Sequence, residues 1–352
     1  MPTTLNRRQL IQLLGAGSGL LLVACAAPAP PPVSDGTPPP ALAPSASPEG
    51  WTPPTSPRIT PIDDFYTMKY NPSPPPQVEQ ADYRLEVVGL VERPLSLSLA
   101  DLRAFTVREE MRTLQCIGNP VGGKLIGNGV WQGLAFADLL AQAGAQPRGR
   151  YLRLEAIDGY HTGIPAQLAQ DPASLLVYGM NGEVLPAAHG YPLRCLFPGR
   201  YGQKQPKWIQ RITVQDRPHI GHWEGQGWSD EARMRPMSII EAPQSGQALE
   251  ADFIVHGIAL TNASGLAALD VSLDNGGTWQ PAQLLRGETD YVWTQWWLRV
   301  EGAQPGDYRI LARVTDGDGH MQTRKGRQIL KGVFPDGTDE MQLVTVRVRG
   351  EK

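Results

Sequence analysis

The alternation of hydrophobic and polar positions changes its rhythm along the chain. Tyr83 to Val91 (YRLEVVGLV), Met111 to Gln115 and Tyr151 to Ile157 alternate with the period of a strand, and Asp158-Gly159-Tyr160 reads as the turn after the third. Helical spacing predicts a short helix over Ser98 to Phe105. It predicts a second over Leu134 to Ala143, with Leu134, Ala137, Leu140 and Ala141 on one face and Gly144 as its stop. From about Pro236 onward the pattern is strands alone: Ile254 to Leu260, Ala268 to Leu273, Trp293 to Val300, Gly306 to Thr315 and Gln342 to Val348. Turns such as Asn275-Gly276-Gly277 and Asp316-Gly317-Asp318-Gly319 separate them, which is the pattern of an antiparallel sandwich. The expected fold class is therefore α+β for the first part, followed by an all-β sandwich.

The N-terminal stretch follows neither rhythm. Arg7 and Arg8 precede a moderately apolar run, Leu13 to Ala24, which is too short to span a bilayer core of about 30 Å. The arginine pair reads as a twin-arginine export signal. Leu22-Val23-Ala24-Cys25 resembles the lipobox of bacterial lipoproteins, which would make Cys25 the lipidated first residue of a membrane-anchored, extracytoplasmic protein; the alternative is a signal simply cleaved nearby. Ala26 to Pro57 is rich in proline, alanine, serine and threonine. It has too little apolar surface to offset its ordering entropy, and is expected to be a disordered tether. The expected divisions are 1–25 signal, 26–57 tether, 58–216 first domain, 217–235 connecting segment and 236–352 second domain. With 352 residues, 41% of them apolar, the chain has material for two cores, and a net charge of −3 argues against a nucleic-acid partner.

Two stretches carry the chemistry. In Arg112 to Trp131 (RTLQCIGNPVGGKLIGNGVW) a cysteine, Cys116, ends a strand-like run and enters a glycine-rich loop built for close approach to a ligand. Read from these residues alone, Cys116 is a candidate metal ligand or nucleophile, an inert thiol, or a partner for Cys195. In Val177 to Trp208, Asn181-Gly182 marks a hairpin turn, and His189, Arg194, Lys204 and Lys207 fall on loops between short strands. Four such donors suit a bound phosphate, or form a solvated basic face. His161 has no recognisable partner. His219 and His222, with Trp223, suggest a loop at the mouth of a site or a domain junction.

Taken in order, TLQCIGNPVGG, WQGLAFADLL and the run from NGEVLPAAHGYPLR to GRYGQKQPKW resemble the core of the sulfite oxidase family of molybdopterin-dependent oxidoreductases, over roughly Asp63 to Gln215. The resemblance implies that Cys116 is the protein's ligand to molybdenum and the catalytic residue. It implies that His189, Arg194, Lys204 and Lys207 hold the pterin and its phosphate, that Tyr66 and Thr67 touch the same cofactor, and that Asp158 is a further cofactor-binding candidate. VSLDNGGTW, WTQWWLRV and GDYRILARVTDGDGHMQ resemble the family's immunoglobulin-like C-terminal domain, which implies a homodimer. Trp279, Trp293, Trp296 and Trp297 are then either interface or inter-sheet core.

Departures from the family pattern bear on substrate. Where sulfite oxidases carry basic residues after the cysteine this chain has Pro120-Val121; it has Met68 in place of an arginine and Ile220 in place of a tyrosine. The expected activity is two-electron, oxygen-atom-transfer chemistry on a small molecule. No haem-attachment motif Cys-x-x-Cys-His is present, so the electron partner is expected to be separate, a cytochrome or quinone-linked protein. Sulfite oxidation, S- or N-oxide reduction and a cofactor-free binding lipoprotein stand as alternatives.

Overall fold

A computed structural model describes residues 51–325 and 332–350. The twin-arginine pair, Cys25 and the tether up to residue 50 lie outside the described residues, and no described helix is long and apolar enough to cross a membrane. The first part holds two sheets. One orders its strands β2-β1-β10-β5-β6, from β1 (Leu85–Gly89), β2 (Leu95–Leu97), β5 (Tyr151–Ala156), β6 (His161–Pro165) and β10 (Ile209–Gln215), with β1 and β10 parallel. The other orders β3 (Val107–Gln115), β4 (Ile126–Ala135), β7 (Leu175–Met180) and β8 (Glu183–Val184), with β9 (Arg194–Leu196) also paired to β7.

Helices are few and short: α1 (Leu99–Arg103), α2 (Phe136–Ala143) and α3 (Ala166–Ala169). At α1 the Ser98 hydroxyl accepts from the Asp101 N–H at 3.2 Å, while the Asp101 carboxylate accepts from the Ser98 N–H at 2.8 Å, a reciprocal cap on two otherwise unpaired amides. α2 stops at Gly144, which takes a left-handed conformation at φ 65°. The helix starts later than its spacing predicts. Leu134 and Ala135 complete β4, and the face it buries is Phe136, Leu139, Leu140 and Ala143, while Ala141 is exposed. One core joins the first sheet, α2 and β7 through Leu85, Leu154, Ile212, Phe136, Leu139 and Leu176.

The second part is two sheets facing one another. β11 (Met237–Ala242), β13 (Phe253–Leu260), β17 (Thr294–Val300) and β16 (Gln283–Leu285) form one, in that order. β12 (Ala248–Leu249), β19 (Leu343–Val348), β18 (Gly306–Asp316), β14 (Leu266–Ser272) and β15 (Gln280–Pro281) form the other, with β12 and β19 parallel. Val255, Trp296 and Leu298 from the first meet Val271, Ile310 and Ala312 from the second in a shared core. A further apolar cluster joins the two parts: Ile117, Ile126 and Tyr201 pack with Met237, Ile258 and Trp293. There the Thr113 N–H donates to Tyr291 O, and the Trp293 N–H donates to Thr113 Oγ1, each at 2.9 Å.

Residues 51–60 run along the second part before entering the first. Trp51 packs against Trp297 and His256 at 5.9 and 6.2 Å between ring centroids. The Arg58 N–H donates to Gln295 Oε1, its guanidinium pairs with Glu241, and the Thr60 N–H donates to Asn128 O in β4. The four tryptophans read as interface or core are each engaged within the chain. Trp296 is core, Trp293 is at the junction, Trp297 lies against Trp51, and Trp279 lies under the Arg313 guanidinium.

Candidate active site

β3 delivers Cys116 to the end of its hydrogen-bonded ladder with β4, where Gln115 pairs with Ile126. The loop that follows closes on itself. The Cys116 N–H donates to Leu125 O, the Asn119 N–H donates to Cys116 O, and the Leu125 N–H donates to Asn119 Oδ1, all within 3.0 Å. Asn119 is buried, so the loop is tied by a side chain that water does not reach. The thiol is therefore held on a fixed frame. The Gly118 N–H points at its sulfur at 3.4 Å, and burial pushes the thiol up, so a cation at the sulfur is needed to hold it as thiolate at neutral pH. Cys195, which could have paired with it, is a free, fully buried core residue on β9 opposite Leu176.

Cys116 opens onto a cleft of about 250 Å³ whose wall also includes Tyr66, Thr67, Asp158, His189, Arg194 and Lys207. Arg194 leaves β9 with its guanidinium over the Trp131 ring at 5.2 Å and one nitrogen donating to His189 O at 3.0 Å. Burial lowers Arg194 to about 10, still charged at neutral pH. Lys207 donates to Ala188 O at 2.9 Å. Burial, and then the neighbouring Arg194, lower it to about 7. The same two causes lower His189 to about 4, so its ring is neutral and sits edge-on to Phe65. Burial raises the Asp158 carboxyl.

Whether these residues fit a phosphate-bearing pterin can be tested on their unused valences. Among the described residues, buried Arg194 Nε has no hydrogen-bond partner, and neither do the Oε1 atoms of Gln203 and Gln205, which share the cleft. A donor beside Lys207 suits a phosphate, and two amide oxygens suit the N–H groups of a pterin ring. Gly202 fits the same purpose, since a Cβ there would lie 3.3 Å from the Tyr66 hydroxyl and narrow the cleft. A soft thiolate completes a donor set suited to molybdenum. The residues fit the group.

The structure thus brings together seven of the residues named from sequence: Tyr66, Thr67, Cys116, Asp158, His189, Arg194 and Lys207. Lys204 is placed differently. In the 3₁₀ turn Gly202–Lys204 its side chain points away from the cleft, and its buried ammonium lies 2.5 Å from Glu224 and 3.0 Å from Asp230. Sequence reasoning missed Gln203 and Gln205, which flank Lys204 in YGQKQPK. It also missed Tyr160 and Trp228, which with Trp223 contribute to the wall. Met68 and Lys69 line the cleft, while Pro120, Val121, Lys124, Ile220 and Arg233 do not. His161 has a partner after all, His219, with ring nitrogens 2.9 Å apart.

The chain is similar to known proteins over most of its length. The family model for the oxidoreductase molybdopterin binding domain matches residues 72–223. Rat mitochondrial sulfite oxidase is 32% identical over 314 residues, covering 75% of this chain and 57% of the relative. Chicken sulfite oxidase is 31% identical over 313 residues, covering 75% of this chain and 68% of the relative. The chain therefore spans a little over half the length of the rat enzyme and two thirds of the chicken one. Among solved structures, the sulfane dehydrogenase SoxCD from Paracoccus pantotrophus shares the fold, with a TM-score of 0.67 over 79% of this chain and 80% of that one at 22% identity. Sequence kinship over both parts, together with a thiol and basic cleft that fit the cofactor, makes this chain a member of the sulfite oxidase family of molybdopterin-dependent oxidoreductases, whose cofactor is molybdenum-molybdopterin.

Proposed function

We propose that the chain is an exported, lipid-anchored molybdoenzyme that transfers one oxygen atom to or from a small neutral substrate and exchanges electrons with a separate partner, a cytochrome or quinone-linked protein. The observation that carries this reading is a fixed cysteine sharing one cleft with Arg194, Lys207 and neutral His189. When bound, the cofactor supplies a metal at which a substrate gains or loses an oxygen atom against water, two protons and two electrons. The protein's own residues do the rest. The Cys116 loop presents the sulfur, Arg194 and Lys207 receive the phosphate, His189 accepts or donates a hydrogen bond without adding charge, and the aromatic wall keeps bulk water from the reacting end.

A neutral substrate is preferred over sulfite because Met68, at 47% exposure, lies in the wall where the family pattern has an arginine, and Ile220 is outside it. Lys69 also lines the cleft, and its ammonium donates to Ser73 O. Residues 58–216 are assigned to the catalytic part and 236–352 to an immunoglobulin-like domain. The two-sheet core of the second part supports that assignment. The Arg7-Arg8 pair and Cys25 motif support export and anchoring.

The test is elemental analysis of protein exported from a host that makes the cofactor, with Cys116→Ser alongside. Near one molybdenum per chain is expected in the wild type. Cys116→Ser is expected to keep the fold and much of the pterin while losing turnover of S- and N-oxides with artificial carriers. Folded wild-type protein without molybdenum, or an active Cys116→Ser, would overturn the reading.

A further inference from the structure

We propose that Lys204 and Gln203 are positioning residues that clamp an aromatic flap, residues 223–230, and that the flap's tryptophans select substrates by their apolar, non-reacting part. The flap is gripped at both ends from one turn. The Lys204 ammonium reaches Glu224 at 2.5 Å and Asp230 at 3.0 Å, while Gln203 Nε2 donates to Glu224 Oε1 at 3.1 Å and to Ser229 O at 2.9 Å. Glu224 Oε1 also accepts from Thr162 Oγ1 at 2.9 Å, and Lys204 further donates to Gly163 O at 2.9 Å. The side chains of Lys204 and Glu224 are 2% and 3% exposed. Leaving either charge alone there is costly, so the pair holds only in one arrangement. Gly221 makes room for it, since a Cβ there would lie 2.2 Å from Glu224 Oε2.

What the clamp holds in place is the cleft wall. Trp223 immediately precedes Glu224, Trp228 lies between the two gripped ends, and both rings line the cleft that contains Cys116. The same turn is tied to the other side of the wall, because the Tyr160 hydroxyl donates to Gln203 O at 2.6 Å. From outside, Phe334 meets Trp228 edge-on at 5.2 Å, and the Ser229 N–H donates to Pro335 O. Rigid aromatic faces at fixed positions favour a flat apolar group over a small one through ring contacts that a methyl cannot make. The inference rests on the proposed function only in placing the substrate in this cleft.

The experiment compares binding of methyl phenyl sulfoxide and dimethyl sulfoxide, followed by quenching of tryptophan fluorescence, in wild-type holoprotein and in Lys204→Met/Glu224→Gln, which removes both buried charges in nearly isosteric form. The wild type is expected to prefer the aryl compound by about tenfold. In the double variant that ratio should fall to about twofold or less, with molybdenum and pterin per chain unchanged. Trp228→Ala, which leaves the buried pair intact, should lose the same preference and covers the case in which the double variant does not fold. An absent aryl preference in the wild type, a preference retained in the variants, or a folded double variant that has lost its pterin would each overturn the proposal; the last would make Lys204 a cofactor ligand. Wild-type protein without molybdenum counts instead against the proposed function, and the binding ratio is read in either case.

Discussion

Lys207 shows how one side chain carries both the electrostatic cost and the purpose of the cleft. Its ammonium lies 4.2 Å from the Trp208 ring centroid, and burial and then the neighbouring Arg194 guanidinium lower its value from 10.5 to about 7. The fold favours the neutral amine, so between these values the unfolded chain binds more protons than the folded one. Lys207 therefore weakens the cofactor-free protein most at or below pH 7, and stability from this group rises as pH climbs toward 10.5. Urea midpoints at the two ends of that window should differ less in Lys207→Met than in the wild type. An anionic phosphate reverses the preference, so loading the cofactor should take up protons near neutral pH, measurable as buffer-dependent heat. Arg194→Met removes a charge that is present at neutral pH and the unpaired Nε, and should lower pterin retained per folded chain at least about tenfold, read by pterin fluorescence after denaturation.

At the scale of elements, a strand that sequence reasoning did not find frames the site. β4 reads as loop because Gly127, Gly129 and Gly133 interrupt its pattern, yet it pairs with β3 and β7 on either side. The glycines are there for close approach. A Cβ at Gly127 would lie 2.8 Å from the Phe65 ring, and one at Gly133 would lie 2.0 Å from Leu176 O. Gly133→Ala should cost about 3 kcal/mol by thermal or urea unfolding, because a backbone oxygen of a buried strand cannot move aside. Gly127→Ala should cost less, about 1 to 2 kcal/mol, and should disturb Tyr66 through its stacked neighbour Phe65, 5.7 Å away between centroids.

What was legible at this scale had local causes: alternation for β1, β5 and the long strands of the sandwich, and helical spacing for α1. What was illegible had distant ones. The partner that makes Gly133 a strand residue is more than forty positions away. That Cys116, His189, Arg194 and Lys207 share one cleft was legible because family resemblance named them together. The separate placement of Lys204 was not legible, since in a 3₁₀ turn successive side chains point in different directions, and its partners at Glu224 and Asp230 carry no motif.

At the scale of the molecule, the two parts share an apolar seam rather than a linker. Trp293, 3% exposed, sits between them, and Arg235 ties the segment after the flap to Asp336 and Asp339. Trp293→Ala should cost about 3 to 5 kcal/mol and split a single calorimetric transition into two, as the halves lose their common core.

Residues 51–60 add a consequence in time. Arg58 finds Glu241 183 positions downstream and Gln295 237 positions downstream, so the earliest described residues to leave the ribosome wait for some of the latest before they have anywhere to lie. Closing loops of that length comes late in folding. Residues 51–60 are thus seated last, and their seating reports that the chain has been made and folded at least as far as Gln295.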